Sequence, residues 1–275
     1  MKKLAGKRQG AENIERQWGG SREGDVRMKY VETGAENKEV IVLLHGGGLS
    51  WWNYEEAADC LAKRFHVVTP ILDGHAGSDA PFTTIEENAK RIIAFIDERF
   101  GGSVLLLGGL SLGAQVLVEM LSQRPDICRY AVIESALAVP MKWTAALVGP
   151  SFSLCYPLIQ KRWFAKLQFA YLGIKPDLFE NYYRDTAQIA KSDLIAWMRA
   201  NSSYTLKAAL EDCRAKALVF VGSRELPVMR RSARLIAESI EGAQLEILKG
   251  YQHGELSINR GELYAKRILQ FIGEE

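Results

Sequence analysis

The chain has 275 residues, 48% of them hydrophobic and 25% charged, enough for one large α/β domain carrying an insertion. A formal net charge of +2 with no lysine/arginine stripe argues against nucleic acid as a partner. The four cysteines (Cys60, Cys128, Cys155 and Cys213) are far apart with no C-x-x-C, so they read as free thiols of a reducing, cytoplasmic compartment rather than as disulfides or a metal site.

Met1 to Arg22 is polar and basic without an apolar core segment, so it reads as a flexible tail outside the fold and not as a secretory signal. Val26 to Thr33 alternates like an exposed first strand. Val40 to Leu44 is a continuous apolar run, as expected of a strand buried on both faces of a parallel sheet, and it ends in His45-Gly46-Gly47-Gly48. A helix over Trp52 to Lys63 and a strand over Phe65 to Thr69 follow. A glycine-rich loop, Asp73 to Asp79, leads to an amphipathic helix over Ile85 to Phe100. The run Val104 to Gly108 reads as a strand that enters Gly109-Leu110-Ser111-Leu112-Gly113, and Ala114 to Arg124 reads as a helix stopping before Pro125. Further strands are expected at Tyr130 to Glu134, Leu218 to Gly222 and Gln244 to Leu248, with helices at Val228 to Ile240 and Glu262 to Ile272. Strands alternating with helices point to an α/β fold with a mostly parallel sheet covered on both faces.

One region interrupts this alternation. Val139 to Leu210 holds twelve of the twenty-six aromatic residues, more than so small a helical unit can bury alone, so several rings are expected to face the main domain as an apolar cap. Within it, Trp143 to Gln160 is uncharged but broken by Gly149-Pro150 and Pro157. That pattern is too interrupted for stable membrane insertion, and it is compatible with a lid lying on an apolar surface. The expected organisation is therefore a tail at 1–22, a core at 23–138 and 211–275, and a helical cap at 139–210.

Chemistry concentrates at Ser111. A serine at the apex of a strand–turn–helix, with glycine two residues to either side, fits a strained turn that exposes the hydroxyl and points the Leu112 N–H at whatever the serine attacks. A serine hydroxyl needs a base, and there are four histidines. His66 lies in a strand, His45 reads as a brace for its turn, and His75 as structural in its loop. His253 follows the last strand and precedes the last helix, at the sheet edge that carries the serine, and is the candidate base, with His75 as the alternative. Glu225, in Gly222-Ser223-Arg224-Glu225 after the penultimate strand, is the candidate acid, and Glu134 is its alternative. A second oxyanion donor is expected from Gly47 N–H, with Gly48 in reserve. No histidine pair has ligand spacing, and neither the P-loop lysine nor G-x-G-x-x-G occurs, so no metal or nucleotide cofactor is expected.

These features together resemble the α/β-hydrolase fold superfamily, in the form that carries a helical cap. The resemblance covers Val26 to the C-terminus and rests on His45 to Gly48, Asp73 to Ser78, Gly109 to Gly113, Gly222 to Glu225 and His253-Gly254, with the order serine, acid, histidine. It implies an eight-stranded-type sheet, a cap inserted after the sixth strand, a Ser111–Glu225–His253 triad and an oxyanion hole from Gly47 and Leu112. Glutamate at the acid position departs from the usual aspartate and adds weight to Glu134. The expected activity is hydrolysis of an ester-like bond in a small to medium, partly apolar molecule, as in a carboxylesterase or lactonase. The same triad also serves C–C bond hydrolases, thioesterases and perhydrolases, and the fold is shared by ligand-binding receptors. Epoxide hydrolases of this fold are disfavoured, because they carry aspartate where Ser111 stands.

Overall fold

The computed structural model describes residues 16–20 and 28–273. Eight strands form a single sheet: β1 (Arg16–Gly20), β2 (Lys29–Thr33), β3 (Val40–Leu44), β4 (His66–Pro70), β5 (Val104–Leu110), β6 (Cys128–Glu134), β7 (Lys216–Gly222) and β8 (Gln244–Leu248), in the order β1-β2-β4-β3-β5-β6-β7-β8. The first two strands pair antiparallel, and β4, β3, β5, β6, β7 and β8 run parallel. The expected fold class is present.

The apolar runs are buried for the reason their composition suggested. In β3, Val42 and Leu44 point into one layer of the core while Ile41 and Leu43 point into the other, and all four are fully buried. The first layer is closed by helices α2 (Ile85–Phe100) and α3 (Leu112–Gln123), the second by α1 (Glu55–Leu61) and α10 (Gly261–Ile272). Local chemistry sets the ends of α2. The Thr84 hydroxyl accepts a hydrogen bond from Glu87 N–H at its start, and Gly101 at φ 70° ends it in a left-handed turn.

Two expectations about the start of the chain need correcting or fall outside the description. Residues 16–20, assigned to the tail, form β1 and pair with β2 along its outer edge. A short polar stretch carries no hydrophobic period, yet it satisfies the backbone groups of an otherwise open edge. Arg16 fixes it through ion pairs to Glu55 and Asp59, and Trp18 packs edge-on against Trp51. The remainder of the tail lies outside the described residues, as do Val26 and Arg27 of the first expected strand.

Between β6 and β7 the chain leaves the sheet for α4 (Lys142–Ile159), α5 (Arg162–Leu172), α6 (Phe179–Thr186) and α7 (Lys191–Ser203), with no strand among the described residues. Bonds from both sides dock this insertion on the body. Trp52 Nε1–H donates to Asp185 Oδ2 at 2.7 Å, Phe82 N–H to Asp193 Oδ1 at 3.0 Å, and Lys175 pairs with Glu56 at 2.6 Å. After β7 come α8 (Pro227–Ser239) and, between β8 and α10, the short α9 (Glu255–Asn259), which the sequence pattern did not reveal.

Candidate active site

The turn at Ser111 is forced by its neighbours. Ser111 has φ 53° and ψ −112°, a conformation that non-glycine residues rarely adopt. A Cβ on Gly109 would stand 2.7 Å from Gly113 O, and one on Gly113 would stand 2.2 Å from Leu44 O. Both flanking positions must therefore be glycine if β5 is to pass directly into α3. The serine N–H is held by Glu134 O at 2.9 Å, which ties the turn to the end of β6.

Parallel register brings the other groups to the same edge. Leu44 is opposite Gly109, Glu134 opposite Phe220 and Gly222 opposite Leu248, so the loops leaving β3, β5, β6, β7 and β8 emerge together. A Cβ on Gly254 would meet Leu110 at 3.0 Å, so the residue after His253 packs against the residue before Ser111. His253 Nδ1 is 2.7 Å from Glu225 Oε2, an orientation that leaves Nε2 for the serine, although no hydrogen bond joins Ser111 to His253 in this structure. Histidine–serine bonds of this kind commonly tighten only when substrate is present.

Glu225 is well held. Its Oε1 accepts from Gly222 N–H at 2.6 Å and from the Ser135 hydroxyl at 2.8 Å, and Arg230 clasps the carbonyls of Ser223 and Glu225. Burial opposes ionisation of the carboxyl, but the bonds from His253, Gly222 and Ser135 outweigh it and keep its pKa below the ordinary value. Glu134, the alternative acid, is not bonded to His253. Its Oε1 accepts only a 3.4 Å bond from Ser257 N–H, Oε2 is buried without a partner, and burial pushes its pKa up to about 7.

Two buried histidines brace the loop after β3. His45 binds Gly46 O through Nδ1 and accepts from Leu72 N–H on Nε2, while His75 binds Asp73 O through Nδ1 and accepts from Gly48 N–H on Nε2. Burial, more than any other influence, lowers their pKa values to about 3 and about 4. Gly46 N–H is taken by Asn53 Oδ1 at 3.1 Å. Of the three glycines, only Gly47 keeps an N–H without a hydrogen-bond acceptor among the described residues, so the reserve candidate Gly48 is already engaged. His66 pairs with Glu32 at 2.9 Å, on a part of the sheet away from this edge.

Three residues without a motif signature complete the arrangement. Asn53 fixes Gly46, and Ser135, itself at φ 55°, holds Glu225. Trp197 of α7 lies over Gly47, where a Cβ would stand 2.8 Å from its ring, and it stacks on His75 at 5.4 Å. Its indole N–H is buried with no acceptor among the described residues. Only the concentration of aromatics in the insertion hinted at Trp197, and nothing marked the other two. A cleft of about 980 Å³ lies at the opposite edge of the sheet between His66, Arg99 and Arg214, away from all of these groups.

The sequence profile of the alpha/beta hydrolase family matches residues 41–266, a span that takes in both the serine turn and His253. The chain belongs to the alpha/beta hydrolase family. It is 24% identical over 258 residues to a soluble epoxide hydrolase of Corynebacterium sp. (strain C12), covering 80% of this chain and 86% of that protein. Among solved structures, a hydrolase from Pseudomonas aeruginosa PA01 superposes with a TM-score of 0.75 at 20% identity, over 96% of this chain and 99% of its own. An esterase from Exiguobacterium antarcticum does so with a TM-score of 0.76 at 15% identity, over 90% and 96%. At such identities the likeness is one of alpha/beta hydrolase fold, and the choice of bond rests on the residues themselves.

Proposed function

We propose that the protein is a serine hydrolase that cleaves an ester-like bond, as a carboxylesterase or lactonase does, through an acyl-enzyme on Ser111. The observation that carries this reading is the 2.7 Å Glu225–His253 bond at the edge where the strained Ser111 emerges. His253 Nε2 takes the proton of Ser111 Oγ as the oxygen attacks the carbonyl carbon, and Glu225 stabilises the imidazolium. Gly47 and Leu112 N–H groups receive the oxyanion. The C–O bond to the leaving alcohol breaks as His253 returns its proton to that oxygen. Water, deprotonated by the same imidazole, then attacks the acyl carbon, and Ser111 departs with the proton. Trp197, which lies over Gly47, favours an apolar portion of the substrate.

The epoxide hydrolase relative suggests a second reaction, and the nucleophile argues against it here. Attack on an epoxide carbon by a serine oxygen would leave an ether, which water does not cleave at a useful rate. A carboxylate nucleophile would instead leave an ester. The test is a p-nitrophenyl ester series of increasing acyl length beside styrene oxide. The reading expects turnover of the esters, lost in Ser111→Ala, and no diol from the epoxide. Diol formation without ester cleavage would overturn it.

A further inference from the structure

The insertion has a second face that nothing among the described residues covers. Helix α4 turns Trp143, Leu147, Leu154 and Leu158 to solvent at 86, 61, 81 and 37% exposure. At about 100° per residue these four share an arc of roughly 60°. Helix α5 does the same with Trp163, Leu167 and Tyr171 at 58, 62 and 88%. The inward positions of the same helices, Val148, Ile159, Ala165 and Phe169, are buried. Single exposed leucines are ordinary, whereas two apolar stripes on consecutive helices mark an interaction surface.

Charge identifies the partner. From Met141 to Pro176 the chain has five basic residues and no acidic one. Arg162 and Lys175 are paired with Glu180 and Glu56, while Lys142, Lys161 and Lys166 have no ion-pair partner among the described residues. A symmetric pairing with a second copy would bring this basic face against itself. An anionic bilayer accepts every component: leucines enter the acyl boundary, tryptophan and tyrosine rings sit at headgroup level, and lysines meet lipid phosphates. No helix among the described residues is long and apolar enough to cross a membrane, so the helices would lie on it.

We infer that the outer face of α4 and α5 docks the protein on an anionic phospholipid bilayer. This goes beyond the proposed activity and holds whatever bond Ser111 cleaves. The test is co-sedimentation of the full chain with vesicles of phosphatidylcholine containing phosphatidylglycerol, beside vesicles of phosphatidylcholine alone. Binding is expected to the anionic vesicles only, weakening as salt is raised. Neutralising Lys142, Lys161 and Lys166 together to glutamine is expected to weaken it about 100-fold, at roughly five-fold for each charge. Trp143→Asp, Leu154→Asp and Tyr171→Asp are each expected to weaken it at least about ten-fold by lost insertion. All three side chains are exposed, so the melting temperature should stay unchanged, and three separate variants keep the test open if one fails to fold. Absence of binding to anionic vesicles, or equal binding to both kinds, would overturn the inference. A concentration-dependent dimer that the same variants dissociate would also overturn it, by assigning the face to a second copy.

Discussion

The sheet body and the helical insertion use apolar residues in opposite ways. Every residue of β5 is buried, and side chains of β3 alternate between two closed layers. In the insertion, Trp197, Tyr182 and Tyr204 are buried, whereas Trp143, Trp163 and Tyr171 stand in solvent. The body therefore carries Ser111, Glu225 and His253 on buried strands and the loops that leave them. The insertion divides its aromatic side chains between a face turned to that core and a face turned away. Composition alone does not separate the two uses; topology does, because a central parallel strand has no outer face and a surface helix always has one.

Substitutions on either side of this divide should differ in kind. Inside the body, Ser111→Ala is the largest expected effect, a loss of about 10⁶ in kcat without loss of stability, and Glu225→Ala should cost about 10⁴ by releasing the His253 ring. Steady-state kinetics on a p-nitrophenyl ester measures both. At the junction, Trp197→Ala should cost roughly 3–5 kcal/mol in a urea titration, because it empties the space over Gly47 and beside His75. Trp197→Phe keeps most of that packing, so a selective drop in kcat would point to the unpartnered indole N–H.

Smaller effects sharpen the same contrast. Burial raises the folded pKa of Glu134 from 4.5 to about 7. Its contribution is thus present below pH 4.5 and is lost as pH rises through about 7, by at most roughly 3 kcal/mol. Glu134→Gln should flatten that slope and leave the protein more stable than the parent above neutrality, as read from urea midpoints across the pH range. Glu225 has the opposite sign: its folded pKa lies below the ordinary 4.5, so its contribution is present above that value and fades as pH falls. Asp185→Ala would strip the buried Trp52 N–H of its acceptor and cost about 1–3 kcal/mol. Lys207→Gln, which opens the half-exposed pair with Glu86 between insertion and body, should cost less than about 1 kcal/mol.

Legibility in the sequence followed the same divide. Val40–Leu44 and Ile85–Phe100 fall where their hydrophobic patterns placed them, because a strand buried on both faces and an amphipathic helix leave strong periodic marks. Gly109 and Gly113 were readable because steric exclusion admits no other residue there. Strand β1 was not, since an edge strand of five residues is held by backbone pairing and by Arg16 rather than by a hydrophobic pattern. Ser135 and Asn53 left no trace because a short polar side chain does its work only where the fold aims it. The carboxylate bonded to the His253 ring is the one that follows the penultimate strand, as its position suggested: Ser135 supports Glu225 there, while Glu134 turns toward Ser257.

The central claim is that Ser111 is an activated nucleophile, and the most direct measurement is covalent labelling with a fluorophosphonate, read by intact mass. The wild-type chain should gain a single adduct, and Ser111→Ala and His253→Ala, both folded by circular dichroism, should gain none. A well-folded wild type that stays unlabelled, or a Ser111→Ala variant that still takes the adduct, would contradict the account.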